Sequence, residues 1–89
     1  MTELEGKVAL VTGAAGGIGQ AIVAALQAKG ATVVGADIKE SAADHMVVGD
    51  LTDPLFCDDL PRQATSLAGS VDILVNNAGI ITRGPITEA

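Results

Sequence analysis

Thr12-Gly13-Ala14-Ala15-Gly16-Gly17-Ile18-Gly19 lies between a short apolar run, Val8-Ala9-Leu10-Val11, and a segment of helical pattern from Gln20 to Lys29. A glycine-rich string alone says little, but one that ends a strand and opens a helix has a physical task. The first amides of a helix have no intrahelical partner and sit at the positive end of its dipole, so a phosphate can rest there without a cationic side chain. Gly13 lets the chain leave the strand in a tight turn. Gly17 removes the Cβ that would block close approach of the backbone to a pyrophosphate, and Gly19 lets the helix pack close to the strand. An ordinary strand-to-helix loop is the alternative, and the patterns on both sides of the turn argue against it.

Outward from this turn, the run from Lys7 to Thr12 is continuously apolar, as a strand buried on both faces requires. From Gly17 to Lys29, Ile18, Ile22, Ala25 and Leu26 fall at helical spacing and predict the buried stripe, with Gly30 as a left-handed C-terminal cap. Thr32-Val33-Val34-Gly35-Ala36, ending at Asp37, reads as a second strand. The segment from Ile38 to Asp44 is too short for more than about two helical turns, so the next crossover is abbreviated or mostly loop. Met46-Val47-Val48-Gly49 reads as a third strand, with Asp50-Leu51 leaving its carboxyl end.

Asp53-Pro54 is a helix-start signal, an N-cap acid followed by a proline whose missing N–H is harmless in a first turn. Pro61 predicts an interruption: a single turn first, then a second helix starting at Asp58 or Asp59 and closed by Gly69, with Leu60, Ala64, Leu67 and Ala68 at helical spacing. Val71 to Asn76 reads as a fourth strand, ended by Ala78-Gly79. After a loop containing Gly84-Pro85, Ile86-Thr87-Glu88-Ala89 look like the start of another helix. Strands alternating with helices predict a right-handed parallel α/β sheet.

The spacing Thr-Gly-x-x-x-Gly-x-Gly at positions 12 to 19 resembles the short-chain dehydrogenase/reductase family, and further matches follow in order. Leu4-x-Gly6-Lys7-Val8-Ala9-Leu10-Val11 resembles its first strand, Asp37 its ribose-binding acid, Asp50-Leu51 its adenine pocket, and Asn76-Asn77-Ala78-Gly79 its fourth-strand motif. The resemblance runs from Leu4 to about Glu88. It implies a partial Rossmann-type, doubly wound parallel sheet of order 3-2-1-4, in which residues 1–89 form the N-terminal cofactor-binding part of a single, incomplete domain. Ligands of such sheets bind at the carboxyl ends of the strands where the order reverses, here between the first and fourth.

The resemblance also implies roles. Gly13, Ala15, Gly16, Gly17, Ile18 and Gly19 would hold the cofactor at the turn. Asp37 would accept hydrogen bonds from the adenosine ribose, and its charge would disfavour a 2′-phosphate, so NAD is expected over NADP, with Lys39 opposing that preference. Asp50 and Leu51 would contact adenine, through carboxylate and backbone respectively. Asn77, Ala78 and Gly79 would line the adenosine side, the asparagines also bonding neighbouring strands. Plainer readings stand beside these: Asp37 as a turn aspartate, Asp50 as the cap of the next turn, Asn76-Asn77 as a turn.

Eleven acids against five scattered bases give a net charge of −6, which leaves no basic patch for nucleic acid. Apolar runs are broken within a few residues, far short of the ~18 that span a bilayer, and the acidic N-terminus has no signal-like apolar region. No nucleic-acid or membrane partner is expected, and the expected location is cytoplasmic. With one cysteine, Cys57, no intrachain disulfide forms, and the thiol reads as a small packed hydrophobe. With one histidine, His45, no multi-histidine metal site exists.

Family chemistry needs a proton donor at the carbonyl oxygen, which the resemblance assigns to a tyrosine activated by a nearby lysine and aided by a serine. The 89 residues contain no tyrosine. No catalytic residue is therefore expected here. The leading expectation is the cofactor-binding part of an oxidoreductase that acts, when complete, on a small alcohol or ketone. The alternatives are a stand-alone, non-catalytic dinucleotide-binding module and an interaction fragment. A central fourth strand with no neighbour on one side further predicts a homo-oligomer.

Overall fold

The computed structural model describes residues 3–77. In chain order the elements are β1 (Val8–Thr12), α1 (Gly17–Ala28), β2 (Thr32–Asp37), β3 (His45–Val48), α2 (Pro54–Ala68) and β4 (Ile73–Asn76). All three strand pairings are parallel and the order is β3-β2-β1-β4, as predicted. The predicted end of the fourth strand at Ala78-Gly79, the Gly84-Pro85 loop and the helix start at Ile86 lie outside the described residues.

β1 is central and buried along its whole length, and the pleat sends alternate residues to opposite faces. Val8 and Leu10 join Val34, Ala36 and Val47 beneath Leu60 and Ala64 of α2. Ala9 and Val11 join Val33 and Ala14 beneath Val23 of α1. Two helices on opposite faces thus bury a sheet that neither could cover alone, which is why β1 reads as a continuous apolar run.

The buried stripe of α1 differs from the predicted one. Gly19 and Val23 are buried and Ile22 and Leu26 half-buried, whereas Ala25 is exposed and Ile18 is 71% exposed. Successive helical residues are about 100° apart, so seating Gly19 against the end of β1 turns Ile18 outward. The helix ends as expected. Gly30 is left-handed (φ 96°), its N–H bonds to Gln27 O (3.0 Å), and the Ala31 N–H reaches Leu26 O (3.1 Å).

Residues 38–44 contain no helix, in keeping with the abbreviated crossover. β3 runs one residue earlier than predicted, from His45 to Val48, although the Gly49 N–H still bonds to Asp37 O (2.9 Å).

α2 is one continuous helix, not two. Asp53 caps it by accepting from the Leu55 N–H (3.0 Å), with Pro54 in the first turn as predicted. Pro61 removes the N–H that would bond to the Cys57 carbonyl, a loss that ordinarily stops a helix. Here Phe56, Leu60, Ala64 and Ala68, four residues apart, pack in one line against the sheet, while Pro61 and Cys57 are both exposed. Packing holds the helix together across the break, and water can reach the freed carbonyl. Cys57, expected to be packed, instead has its thiol donating to Leu51 O at 3.2 Å.

The two edge strands are short, and an aspartate before each completes the ladder. Asp72 Oδ2 accepts from the Val8 N–H (2.9 Å) and Asp44 Oδ2 from the Val33 N–H (2.8 Å). Each carboxylate satisfies a backbone donor that the neighbouring strand starts too late to meet. On the α2 face the helix packs over β1, β2 and β3, and Leu74 in β4 is left 64% exposed.

Candidate functional site

The turn after β1 is zipped to the carboxyl end of β2. Ala36 O accepts from the N–H groups of Gly13 (2.8 Å) and Ala14 (3.3 Å), and Asp37 Oδ2 accepts from the Ala15 N–H (3.0 Å). The Gly16 N–H bonds to Gly13 O (3.3 Å). The amides of residues 13 to 16 are thus all used inside the chain.

The next three amides, of Gly17, Ile18 and Gly19, open α1, whose N-cap Gly16 has no side chain to offer them. Gly19 is buried, Gly17 and Ile18 are exposed residues, and as the first two of α1 their amides have no intrahelical acceptor. A Cβ built on Gly17 meets no protein atom within 4 Å, and its φ is not left-handed. Neither backbone conformation nor a neighbour in the described chain requires glycine there. An exposed helix start with dipole-aligned amides fits an anion.

Gly13 and Gly19, by contrast, are required by the fold. Gly13 turns the chain at φ +69°. A Cβ on Gly19 would fall inside the Gly13 carbonyl oxygen and lie 2.8 Å from its carbon. That carbonyl also accepts from Asn77 Nδ2 (3.2 Å), while Thr12 Oγ1 donates to Asn76 Oδ1 (3.1 Å). The asparagines at the end of β4 therefore tie that strand to β1 and to the turn, and Gln20 Nε2 secures the turn's far side by donating to Ala15 O (2.7 Å). This hub on the Gly13 carbonyl is invisible in the sequence, because its contributors are separated by up to 64 positions.

Asp37 and Asp50 also end strands at this edge of the sheet, but both carboxylates have internal work. Asp37 Oδ1 takes the Ile38 N–H (2.6 Å) while Oδ2 holds Ala15. Asp50 Oδ1 accepts from the hydroxyl (2.6 Å) and the N–H (2.9 Å) of Thr52. Those bonds, the hydroxyl's first, hold the Asp50 carboxyl below the usual carboxylate range. The cap reading of Asp50 is thus realised, with Oδ2 left to accept from a ligand. Leu51 is half-buried against the α2 face of the core. Ala78 and Gly79 lie outside the described residues. A cleft of about 380 Å³ between β3 and α2, lined by Met46, Val48, Arg62 and Leu67 among others, includes none of the predicted site residues.

The sequence profile described as short chain dehydrogenase matches residues 7–89. Among curated relatives, the 3-oxoacyl-acyl-carrier-protein reductase FabG of Vibrio cholerae is 46% identical over 87 residues, covering 86% of this chain and 36% of the relative. FabG of Escherichia coli is 43% identical over 86 residues, covering 85% and 35%. Among solved structures, 2-keto-3-deoxy-D-gluconate dehydrogenase from Streptococcus agalactiae superposes with a TM-score of 0.75 at 41% identity, over 97% of this chain and 37% of that one. Aldohexose dehydrogenase from Thermoplasma acidophilum gives 0.78 at 33% identity, over 99% and 35%. The chain spans about a third of the length of these relatives.

The relatives correct one expectation. FabG reductases are NADPH-using enzymes, so the expected preference for NAD over NADP does not stand. A physical reason lies in Asp37, whose two carboxylate oxygens each already accept a backbone N–H, so its charge is partly met within the turn. Sequence, sheet order and relatives agree: the chain belongs to the short-chain dehydrogenase/reductase family.

Proposed function

We propose that residues 1–89 are the N-terminal, cofactor-binding part of a single Rossmann domain, in an oxidoreductase that moves hydride between NADP(H) and an alcohol or ketone. The observation that carries this is the start of α1 after the carboxyl end of β1, where Gly17 and Ile18 are exposed and nothing in the described chain stands over the Cβ position of Gly17. Their amides open the helix that follows β1, and the order of the sheet reverses between β1 and β4. The pyrophosphate would rest on these amides. Asp37 would face the adenosine ribose, Lys39 would supply a cation for a 2′-phosphate, and Asp50 Oδ2 with the Leu51 backbone would meet adenine. Ala15, Gly16, Gly19, Asn77, Ala78 and Gly79 would shape the wall. The bound nicotinamide would give or take the hydride.

The relatives' names cover an oxoacyl thioester, a keto-sugar acid and an aldose. They support interconversion of a carbonyl and a hydroxyl as the reaction class, not one substrate. Calorimetric titration with NADPH and NADH tests the binding. No heat with either, or NADH bound much more tightly, overturns the corresponding part of the reading.

No turnover by these 89 residues is expected on any alcohol or ketone, because they include no tyrosine to serve as the family's proton donor. Turnover from a preparation free of longer chains would refute that expectation.

Self-association is proposed as well. Among the described residues no strand pairs with the outer edge of β4, which carries neither lysine nor proline, and Leu74 beside it is exposed. Asp72, the charge at its start, is occupied with Val8. Sedimentation at low micromolar concentration should find dimers or larger species; a stable monomer would show that the edge needs no partner. Among the described residues no helix is long and apolar enough to cross a membrane.

A further inference from the structure

The side-chain bond from Asp37 to the glycine turn has a consequence beyond contact with a ribose. The β2 end holds three successive amides of the turn, two through Ala36 O and the third, that of Ala15, through Asp37 Oδ2. Ala15 is the last residue before Gly16, the N-cap of α1, and Gly17, its first residue, neither of which has a side chain to restrain its backbone. Without the carboxylate, the hold of β2 on the turn would end at Ala14, and the remaining ties beyond it are the Gly16 N–H to Gly13 O, the Gln20 N–H to Gly16 O (2.8 Å) and the Gln20 side chain to Ala15 O.

We infer that Asp37 is a positioning residue for the pyrophosphate seat: by fixing the Ala15 amide, it aims the backbone of Gly16 and Gly17 at the anion before the anion arrives. The inference rests on the turn being that seat. It adds to a ribose contact without competing with it, since a carboxylate oxygen that accepts one N–H retains a lone pair for a hydroxyl. The sign of the effect is unusual. An acid beside an anion site should weaken anion binding by repulsion, so removing it should tighten binding. If it positions the turn, removing the side chain should loosen binding, because the glycines must then be ordered at the expense of affinity, roughly a factor of ten for each residue fixed.

Inorganic pyrophosphate is the suitable probe, because it has neither ribose nor adenine. Its affinity for the 89-residue chain is measured by titration for the parent, Asp37→Asn and Asp37→Ala, beside a melting curve for each. Asparagine has one oxygen where the carboxylate has two; with that oxygen on the Ala15 N–H and the exposed Ile38 N–H left to water, it keeps the tie to the turn and loses the charge, so Asp37→Asn should bind at least as tightly as the parent. Asp37→Ala should bind roughly tenfold more weakly than Asp37→Asn. Amide hydrogen exchange at Ala15 in the free chain should be slow in the parent and Asp37→Asn, and faster in Asp37→Ala.

Equal affinities in all three chains would mean that Asp37 serves the ribose alone, and would overturn the inference. Equal tightening in both variants would mean that it acts by charge alone, and would overturn it too, as would equal weakening. A parent that binds neither pyrophosphate nor dinucleotide overturns the dinucleotide reading itself. A parent that binds normally, with unchanged Ala15 exchange in Asp37→Ala, defeats only the positioning role.

Discussion

A Gly17→Val substitution is expected to abolish dinucleotide binding while leaving the melting temperature within a few degrees of the parent. The two halves of that result come from one observation. A Cβ at residue 17 points into open space, so the new side chain collides with nothing in the described fold. Exposed substitutions of that kind change stability by about 0.5 kcal/mol or less. On the proposed reading a phosphate sits against the amides that open α1, and a valine at residue 17 would hold it beyond hydrogen-bonding distance. Losing two hydrogen bonds to a charged group, at about 1.5–3 kcal/mol each, weakens binding by roughly two to four orders of magnitude. Gly17→Ala should fall between valine and the parent. Unchanged calorimetric affinity in the valine variant would show that the anion does not sit on this turn.

Gly19→Ala, two residues on, should do the reverse damage: it should strike the fold first. Its Cβ would overlap the Gly13 carbonyl, which is backbone and cannot swing aside as a long side chain would. Either α1 lifts from the sheet or the carbonyl turns. A turned carbonyl surrenders its bonds from Asn77 Nδ2 and the Gly16 N–H. Overpacking costs about 1–3 kcal/mol and each lost bond about 1, against a helix-propensity gain of about 0.5–1. The net loss of roughly 2–4 kcal/mol is a large share of the roughly 4–13 that a chain of this size possesses. At about 4–8 °C per kcal/mol the melting temperature should drop by about 10 °C or more. A Gly19→Ala chain that melts with the parent would mean that the helix and the turn do not meet as closely as described.

The strands were legible in the sequence because each announces itself locally, whereas their order was what the family resemblance implied. Apolar runs bounded by turn residues mark β1, β2, β3 and β4, and the need for right-handed crossovers constrains how they assemble. Asp53-Pro54 and Gly30 marked helix ends through chemistry confined to a few neighbouring residues. The glycine turn was legible for the same reason, and with it the carboxyl edge where Asp37, Asp50 and Asn77 gather.

What the sequence by itself determined, then, was the strands, the helix starts and the turn that opens α1, which follow from patterns within about one turn or strand length; the strand order came with the family resemblance, carried by motifs spaced along the chain. Only the tertiary structure decided which side of α1 faces in, because seating Gly19 on the Gly13 carbonyl rotates Ile18 out to 71% exposure. It carried α2 through Pro61, because the line of Phe56, Leu60, Ala64 and Ala68 against the sheet outweighs one missing bond on a wet face. It also gave the carboxylates of Asp37, Asp44 and Asp72 backbone partners, the last of them 64 positions away in the chain. Such outcomes depend on which donors remain unmet once strands and helices have docked, and that is a property of the packed molecule, set by the requirement that buried N–H groups find acceptors.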